Sequence, residues 1–287
     1  TRARQHSLLG RPVIDHDLDL LLRDWRLWSS KLQSKPVLKN VLTQGLTNKS
    51  YLLESSRQLF VLRVNSPHSQ ALDLNRPQEI IFHRAAESLG LSPPLSYADP
   101  DQIYIVKEYI AGESWTLSSS RSRQNSQIDV IADTLKKVHS LAIDADAINY
   151  FKKIESYWKS TVIARPEIAE IFSPLMQQAK AFFEHYRANV DTMAPCHHDT
   201  VIENIILSDG KITLLDWEYA ALGDPWFDLA VFADSAQLNH QQIDRLIHSY
   251  CEISTKGKPN KSRFSLATQN FYYQDFFWHC AQNTKLS

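Results

Sequence analysis

Between Cys196 and Glu218 the chain places Asp199, then Asn204 five residues later and Asp216 twelve beyond that. Side chains of these types at this spacing suit one chemistry. A carboxylate can orient and deprotonate an incoming hydroxyl, while an amide and a second carboxylate hold Mg2+ against phosphates. Two short β-branched runs, Ile205-Ile206-Leu207 and Ile212-Thr213-Leu214-Leu215, flank Asp209-Gly210, a strong signal for a tight hairpin. Pairing outward from that turn sets Leu207 against Ile212, Ile206 against Thr213, Ile205 against Leu214 and Asn204 against Leu215. Asn204 and Asp216 then emerge at the same end. Strict strand alternation would point them to opposite faces, so Asp216 must lie just past the strand if both are to meet one ion. Asp199 sits one short loop upstream.

The rest of the chain supplies elements to position this group. Asp15 to Leu32 has Leu18, Leu21, Leu22, Trp25 and Trp28 at helical spacing, which predicts an amphipathic packing helix. Strands follow at Val37–Leu42, Ser50–Glu54 and Gln58–Asn65, and the polar loop Gln44–Lys49, with Gly45 and Asn48, is a candidate phosphate contact. Arg63 stands between Leu62 and Val64 in an otherwise apolar strand. It reads either as an edge residue facing solvent or as a cation reaching phosphates. Asn75–Leu89 is a predicted helix with Glu79 in its first turn, and a strand cation paired to a helix glutamate is a known way to hold a phosphate-binding side chain. Another strand, Gln102–Tyr109, leads to Gly112, where strands give way to helices and a lobe boundary is expected.

Beyond that boundary, Thr116–Gln127 reads as a polar surface loop and Ile128–Leu141 as a helix with Ile128, Ile131, Leu135 and Val138 on one face. Helices are also expected at 150–161, 168–189, 241–253 and 264–283. Asp228 is expected to cap the helix that follows the hairpin. The last helix concentrates Phe271, Tyr272, Tyr273, Phe276, Phe277 and Trp278, a core pattern that could also receive an organic cation.

Composition bounds the partners. The 287 residues carry a formal net charge of −1 with no basic stripe, which argues against nucleic acid, and no apolar run reaches the ~20 residues of a membrane span. Thr1–Gly10 lacks the apolar core of a secretory signal. Cys196, Cys251 and Cys280 are too widely spaced for a disulfide framework or zinc finger, so a cytoplasmic setting is expected.

With these residues assembled, the chain resembles the aminoglycoside phosphotransferase and choline kinase superfamily from about Val41 onward. The resemblance is carried by His197-x-Asp199-x-x-x-x-Asn204 and by Asp216-Trp217-Glu218-Tyr219, joined by a hairpin and preceded by strand cation, helix acid and hinge in order. It implies an α+β, protein-kinase-like fold of two lobes, with a small antiparallel sheet in residues 1–111 and a mainly helical lobe in 112–287. It further implies an ATP- and Mg2+-dependent kinase with Asp199 as catalytic base, His197 bracing its loop and Asn204 and Asp216 on magnesium. Arg63 would contact phosphates with Glu79 as partner, Glu108, Tyr109 and Ile110 would form the adenine hinge, and Asp228 would support the catalytic loop. His198, in a variable place, is not carried over.

Arg63 in place of lysine and the Asp-Trp-Glu-Tyr-Ala sequence favour the choline, ethanolamine and thiamine kinase branch, hence a small-molecule alcohol as acceptor. Glu218, Trp226, Asp234, Phe276 and Trp278 are candidate acceptor-binding residues. An aminoglycoside acceptor would call for many acidic side chains, and 252–287 holds only Glu252 and Asp275. Two further readings differ in kind: a non-catalytic nucleotide-binding homologue, and a metal-dependent phosphohydrolase using His198-Asp199 with His139 or His185. Oligomeric state is open, because apolar helix faces serve cores and interfaces alike.

Overall fold

Gln58–Asn65 carries a run of strand-favouring residues, Leu59-Phe60-Val61-Leu62 and then Val64, and in the computed structural model it becomes the middle strand of a five-stranded sheet. The structure describes residues 18–29, 32–44, 48–66, 74–190, 192–208, 210–252 and 260–283. These fall into two compact units, residues 1–68 with 96–108, and residues 69–95 with 109–287.

The first unit is built on β1 (Val37–Gln44), β2 (Asn48–Ser55), β3 (Gln58–Asn65), β4 (Leu95–Ala98) and β5 (Tyr104–Glu108), in the order β1-β2-β3-β5-β4. Neighbouring β1, β2, β3 and β5 pair antiparallel. Phe60, Leu62 and Val64 share one face of β3 and bury against Leu53, Tyr104 and Val106. Before the sheet the chain makes short helical turns, α1 (Leu18–Leu21), a 3-10 turn at Leu22–Asp24 and α2 (Trp25–Trp28). The helix expected over 15–32 is thus interrupted where it is described, and its ends at 15–17 and 30–31 lie outside the described residues. Leu21, Leu22 and Trp28 join the sheet's core, with the Trp28 indole N–H donating to the Tyr104 hydroxyl at 3.1 Å.

The second unit contains α3 (Arg76–Ser88), the two-residue β6 (Glu113–Ser114), α4 (Arg121–His139), α5 (Tyr150–Ala164), α6 (Pro166–Asn189), β7 (Ala194–Cys196), the hairpin β8 (Ile205–Ser208) and β9 (Lys211–Leu214), β10 (Ala221–Gly223), α7 (Pro225–Ser235), α8 (His240–Glu252) and α9 (Lys261–Asn283). Phe82 and Ala86 of α3 pack in one core with Trp115, Ile128, Leu135, Trp217 and Phe232. That burial makes α3 part of this unit, although it precedes the expected boundary in sequence. A second core joins α5, α6, α7 and α9 through Tyr157, Phe183, Val231 and Phe277.

Two expectations need correcting. The stretch read as a loop to Gln127 is helical from Arg121 onward. Its polar side chains work on the preceding turn: Gln124 Nε2 donates to the Ser118 carbonyl at 2.7 Å and Gln127 Nε2 to that of Thr116 at 2.9 Å. The cap of α7 is Asp224, whose carboxylate accepts the Trp226 amide at 3.1 Å. Asp228 lies one turn inside that helix and is used elsewhere.

Candidate active site

The hairpin has the register expected from its turn: Ile205 faces Leu214, Ile206 faces Thr213, Leu207 faces Ile212, and Ser208 closes on Lys211. Past the strands the Leu215 amide donates to the Asn204 carbonyl at 2.8 Å. Asp216 then adopts a left-handed backbone, φ 58°, which Asp tolerates better than most residues. The chain therefore leaves the strand before Asp216, as a shared ion would require. Gly112 lets β6 lie against β8, since a Cβ there would come within 2.9 Å of the Leu207 carbonyl oxygen.

Asp199 and Asn204 meet directly. The Asn204 amide nitrogen donates to Asp199 Oδ2 at 2.7 Å and to the Asp199 carbonyl at 3.0 Å, which turns Asn204 Oδ1 away from Asp199. His197 is buried against Trp217, with ring centroids 4.5 Å apart. Its Nε2 lies 2.9 Å from the Leu215 carbonyl, which can only accept, so Nε2 carries the proton and the unprotonated Nδ1 accepts the Asp199 amide at 3.3 Å. One ring thereby ties the end of β9 to the backbone of Asp199.

The surroundings of Asp199 are acidic. Burial, then the charges of Asp216 and Glu218, push its carboxyl up to about 8 against the opposing Asn204 hydrogen bond. Oxygen ligands crowded in this way fit a hard divalent cation. Asp199, Asn204 and Asp216 are the residues that would hold magnesium or act beside it.

Asp228 is the counterpart behind the loop. Its Oδ2 accepts the His197 amide at 2.8 Å and its Oδ1 the His198 amide at 2.7 Å, while His139 Nε2 donates to Oδ2 at 3.1 Å. Burial alone would raise its pKa, but the His139 hydrogen bond and neighbouring histidines outweigh burial and hold it down at about 2. Among the described residues, His139, Cys196 and Asp228 are the one group whose ligand atoms lie within 4.8 Å of one another. This group is not built for a metal. Burial keeps the Cys196 thiol protonated, and the Asp228 oxygens are already occupied. Nor does it include His198-Asp199; His185 is elsewhere, on α6 beside Asn189.

Glu218 is anchored by a residue that sequence reasoning overlooked. Arg76 Nη1 donates to Glu79 Oε2 at 2.8 Å and to Glu218 Oε2 at 2.9 Å, all three side chains being buried. The i,i+3 spacing of Arg76 and Glu79 was visible in the sequence, whereas the link to Glu218, 142 residues away, was not. Gln78 reinforces it by donating to the Ala220 carbonyl at 2.9 Å. In the other unit, Arg63 is 3% exposed on the central strand β3 and donates to Asn65 Oδ1 at 2.9 Å, so the edge-strand reading does not apply. Asn48 opens β2 and is buried; Glu108 ends β5, with Tyr109 and Ile110 following; the glycine loop 45–47 lies outside the described residues.

The α9 aromatics Phe271, Tyr273, Phe276, Phe277 and Trp278 pack in the second core, as their pattern predicts. Trp226 packs on Tyr250, Asp234 accepts the Tyr272 hydroxyl at 3.1 Å, and Phe276 packs between Phe172 and Phe277. Trp278 reaches the acidic loop, its indole N–H donating to the Tyr219 hydroxyl at 3.2 Å.

A model of the family described as "Phosphotransferase enzyme family" matches residues 40–262, most of the chain, including Asp199, Asn204, Asp216, Glu218 and Asp228. The chain belongs to that family. Among the relatives of this phosphotransferase is Protein LicA of Haemophilus influenzae, 27% identical over 240 residues that cover 82% of this chain and 69% of that protein. Thiamine kinase of Escherichia coli O157:H7 is 26% identical over 207 residues, covering 70% and 68%. In fold the phosphotransferase is similar to choline kinase LicA from Streptococcus pneumoniae, with TM-score 0.76 at 20% identity over 94% of this chain and 93% of that one. It is also similar to the streptomycin-ATP-APH(2")-IIa ternary complex, with TM-score 0.62 at 18% identity over 94% and 91%. The kinase-like two-part fold expected from the sequence is therefore the observed one. Among the described residues no helix is long and apolar enough to cross a membrane.

Proposed function

We propose that this phosphotransferase moves the γ-phosphoryl group of ATP, with Mg2+, onto the hydroxyl of a small alcohol, with choline, ethanolamine and thiamine as the first candidates. The observation that carries the reading is the Asp199–Asn204 contact at the mouth of the hairpin, with Asp216 turned out of its strand beside them. Relatives named as LicA and thiamine kinase support the choice of acceptor class.

In this reading Asp199 accepts a hydrogen bond from the acceptor hydroxyl through Oδ1, because Oδ2 is engaged by Asn204. The acceptor oxygen forms the new bond to phosphorus, the bond to the β-phosphate oxygen breaks, and the hydroxyl proton passes to Asp199. His197 keeps the Asp199 backbone in register, and Asp228 holds the loop from behind. Asn204 Oδ1 and the Asp216 carboxylate would carry magnesium, which when bound neutralises phosphate charge. Arg63 and Asn48 are assigned to phosphate contact with Glu79 as the partner of Arg63, and Glu108, Tyr109 and Ile110 to adenine, on family likeness.

A screen of ATP consumption over choline, ethanolamine, thiamine, homoserine and several aminoglycosides tests the reading. Turnover with one of the first three is expected. Turnover confined to aminoglycosides would replace the acceptor class, and no turnover with any alcohol would defeat the reading. In calorimetry Asp216→Ala should weaken magnesium-ATP binding about tenfold or more; unchanged binding would remove its metal role.

A further inference from the structure

Beside the acidic loop lies a cavity of about 390 Å3 whose wall includes Gln78, Asn149, Lys152, Lys153, Glu218 and Tyr219. Two of these residues are fixed in place from behind. Arg76 holds the Glu218 carboxylate, and Trp278 donates to the hydroxyl of Tyr219. A braced aromatic face next to a carboxylate is a receptor for an organic cation. Here a cation is already present. The Lys153 ammonium stands 4.4 Å above the centroid of the Tyr219 ring, on a side chain only 8% exposed. Lys153 comes from the first turn of α5, whose start is secured by Asn149 accepting the Lys152 amide at 3.0 Å. The same wall belongs to the acidic loop, since Glu218 and Tyr219 follow Asp216 directly after Trp217.

We propose that Lys153 fills the cation subsite of the acceptor pocket and must be displaced by the charged end of a cationic acceptor, which makes it a specificity-determining residue. The proposal rests on this cavity being the acceptor site of an alcohol kinase. Two cations cannot share one ring face and one carboxylate without repulsion. A quaternary or primary ammonium therefore enters only as Lys153 swings out on its flexible four-carbon stem. A neutral alcohol leaves Lys153 where it is. Lys153 thus sets a threshold that weakly binding cations fail to cross, and in the absence of acceptor it supplies positive charge to an acidic site.

The test uses the full chain with Lys153→Met, which keeps the stem and removes the charge, and Lys153→Arg, which keeps a charge. Tetramethylammonium is titrated into each by calorimetry, and KM and kcat are measured for the acceptors that the wild type phosphorylates. The methionine variant is expected to bind tetramethylammonium at least about fivefold tighter and to show a similar drop in KM for cationic acceptors, with the effect on KM rather than on kcat. The arginine variant should stay near wild type. Unchanged or weaker tetramethylammonium binding by the methionine variant overturns the proposal. So does a rise in KM, which would mean that Lys153 helps to hold the acceptor. If the methionine variant does not fold, Lys153→Gln is read by the same criteria. Should the wild type phosphorylate no alcohol, the kinase reading fails while the tetramethylammonium titration still decides the role of Lys153.

Discussion

Asp199 and Asp228 lie on opposite sides of one short loop, and the protein treats them in opposite ways. Asp228 is given two backbone amides and the His139 N–H, and its charge is stabilised far below the usual carboxylate range. Asp199 receives the Asn204 amide but faces Asp216 and Glu218, and its charge is destabilised up to about 8. A carboxylate whose partners are all supplied by the fold serves the fold. One left with acidic neighbours can have its compensation reserved for something that binds, which under the proposed function would be an acceptor hydroxyl and a cation.

The largest expected effect tests that contrast directly. Asp199→Asn should lower turnover by about 10^3 or more in a coupled ATP assay while leaving the thermal midpoint unchanged or raised, because it removes like-charge repulsion. A variant that unfolded several degrees earlier would place Asp199 with Asp228 as a structural group. Asp228→Ala should do the reverse, costing about 3–5 kcal/mol in denaturant unfolding by stranding two buried amides and His139. A loss of activity without loss of stability would break the comparison from the other side.

Next in size is the pH dependence, in which the two groups act with opposite sign. Asp228 has a folded pKa of about 2, below its unfolded value of about 4, so its contribution is present above pH 4 and is lost as pH falls toward 2. Asp199 has a folded pKa of about 8, above its unfolded value of about 4. Its contribution is complete below pH 4 and is lost as pH rises toward 8. With a chelator present, the thermal midpoint of the wild type should decline between pH 5 and pH 8.5, and Asp199→Asn should flatten that decline. An equal decline in both proteins would remove Asp199 as its source. The smallest effect is expected at Gly223, where a Cβ would run into His198 Nε2 and the Tyr150 hydroxyl. Gly223→Ala should cost about 1–3 kcal/mol and lower kcat modestly by shifting His198 and with it Asp199.

Much of the site could be read in advance because its geometry is local. The Asp209-Gly210 dipeptide predicts a tight hairpin, that expectation fixes the pairing from Leu207–Ile212 outward, and the observed pairing brings Asn204 and Asp216 to one end. The family resemblance implied that His197 would brace its loop, though not that it would clamp Leu215 to the Asp199 amide. The cap of α7 was misplaced because Asp224 and Asp228 are both plausible in sequence, and only the positions of the His197 and His198 amides show which carboxylate is needed elsewhere. The start of α4 was missed because serine-rich sequence favours loops locally, while Gln124 and Gln127 make the helix and its preceding turn mutually supporting.

The sequence by itself determined β1, β2, β3, β5, the hairpin β8–β9 with its register, most of the helices and the family, since these follow from periodicity, turn chemistry and motif spacing over a few tens of residues; the short strands β4, β6, β7 and β10 carry no such pattern and are not legible in it. Tertiary structure decided which charges are compensated. Arg76 reaches Glu218 across 142 residues, Lys153 lies over Tyr219, and Trp278 of α9 donates to the Tyr219 hydroxyl. Electrostatic environment depends on what packs within a few ångströms, and no local pattern of residues specifies that.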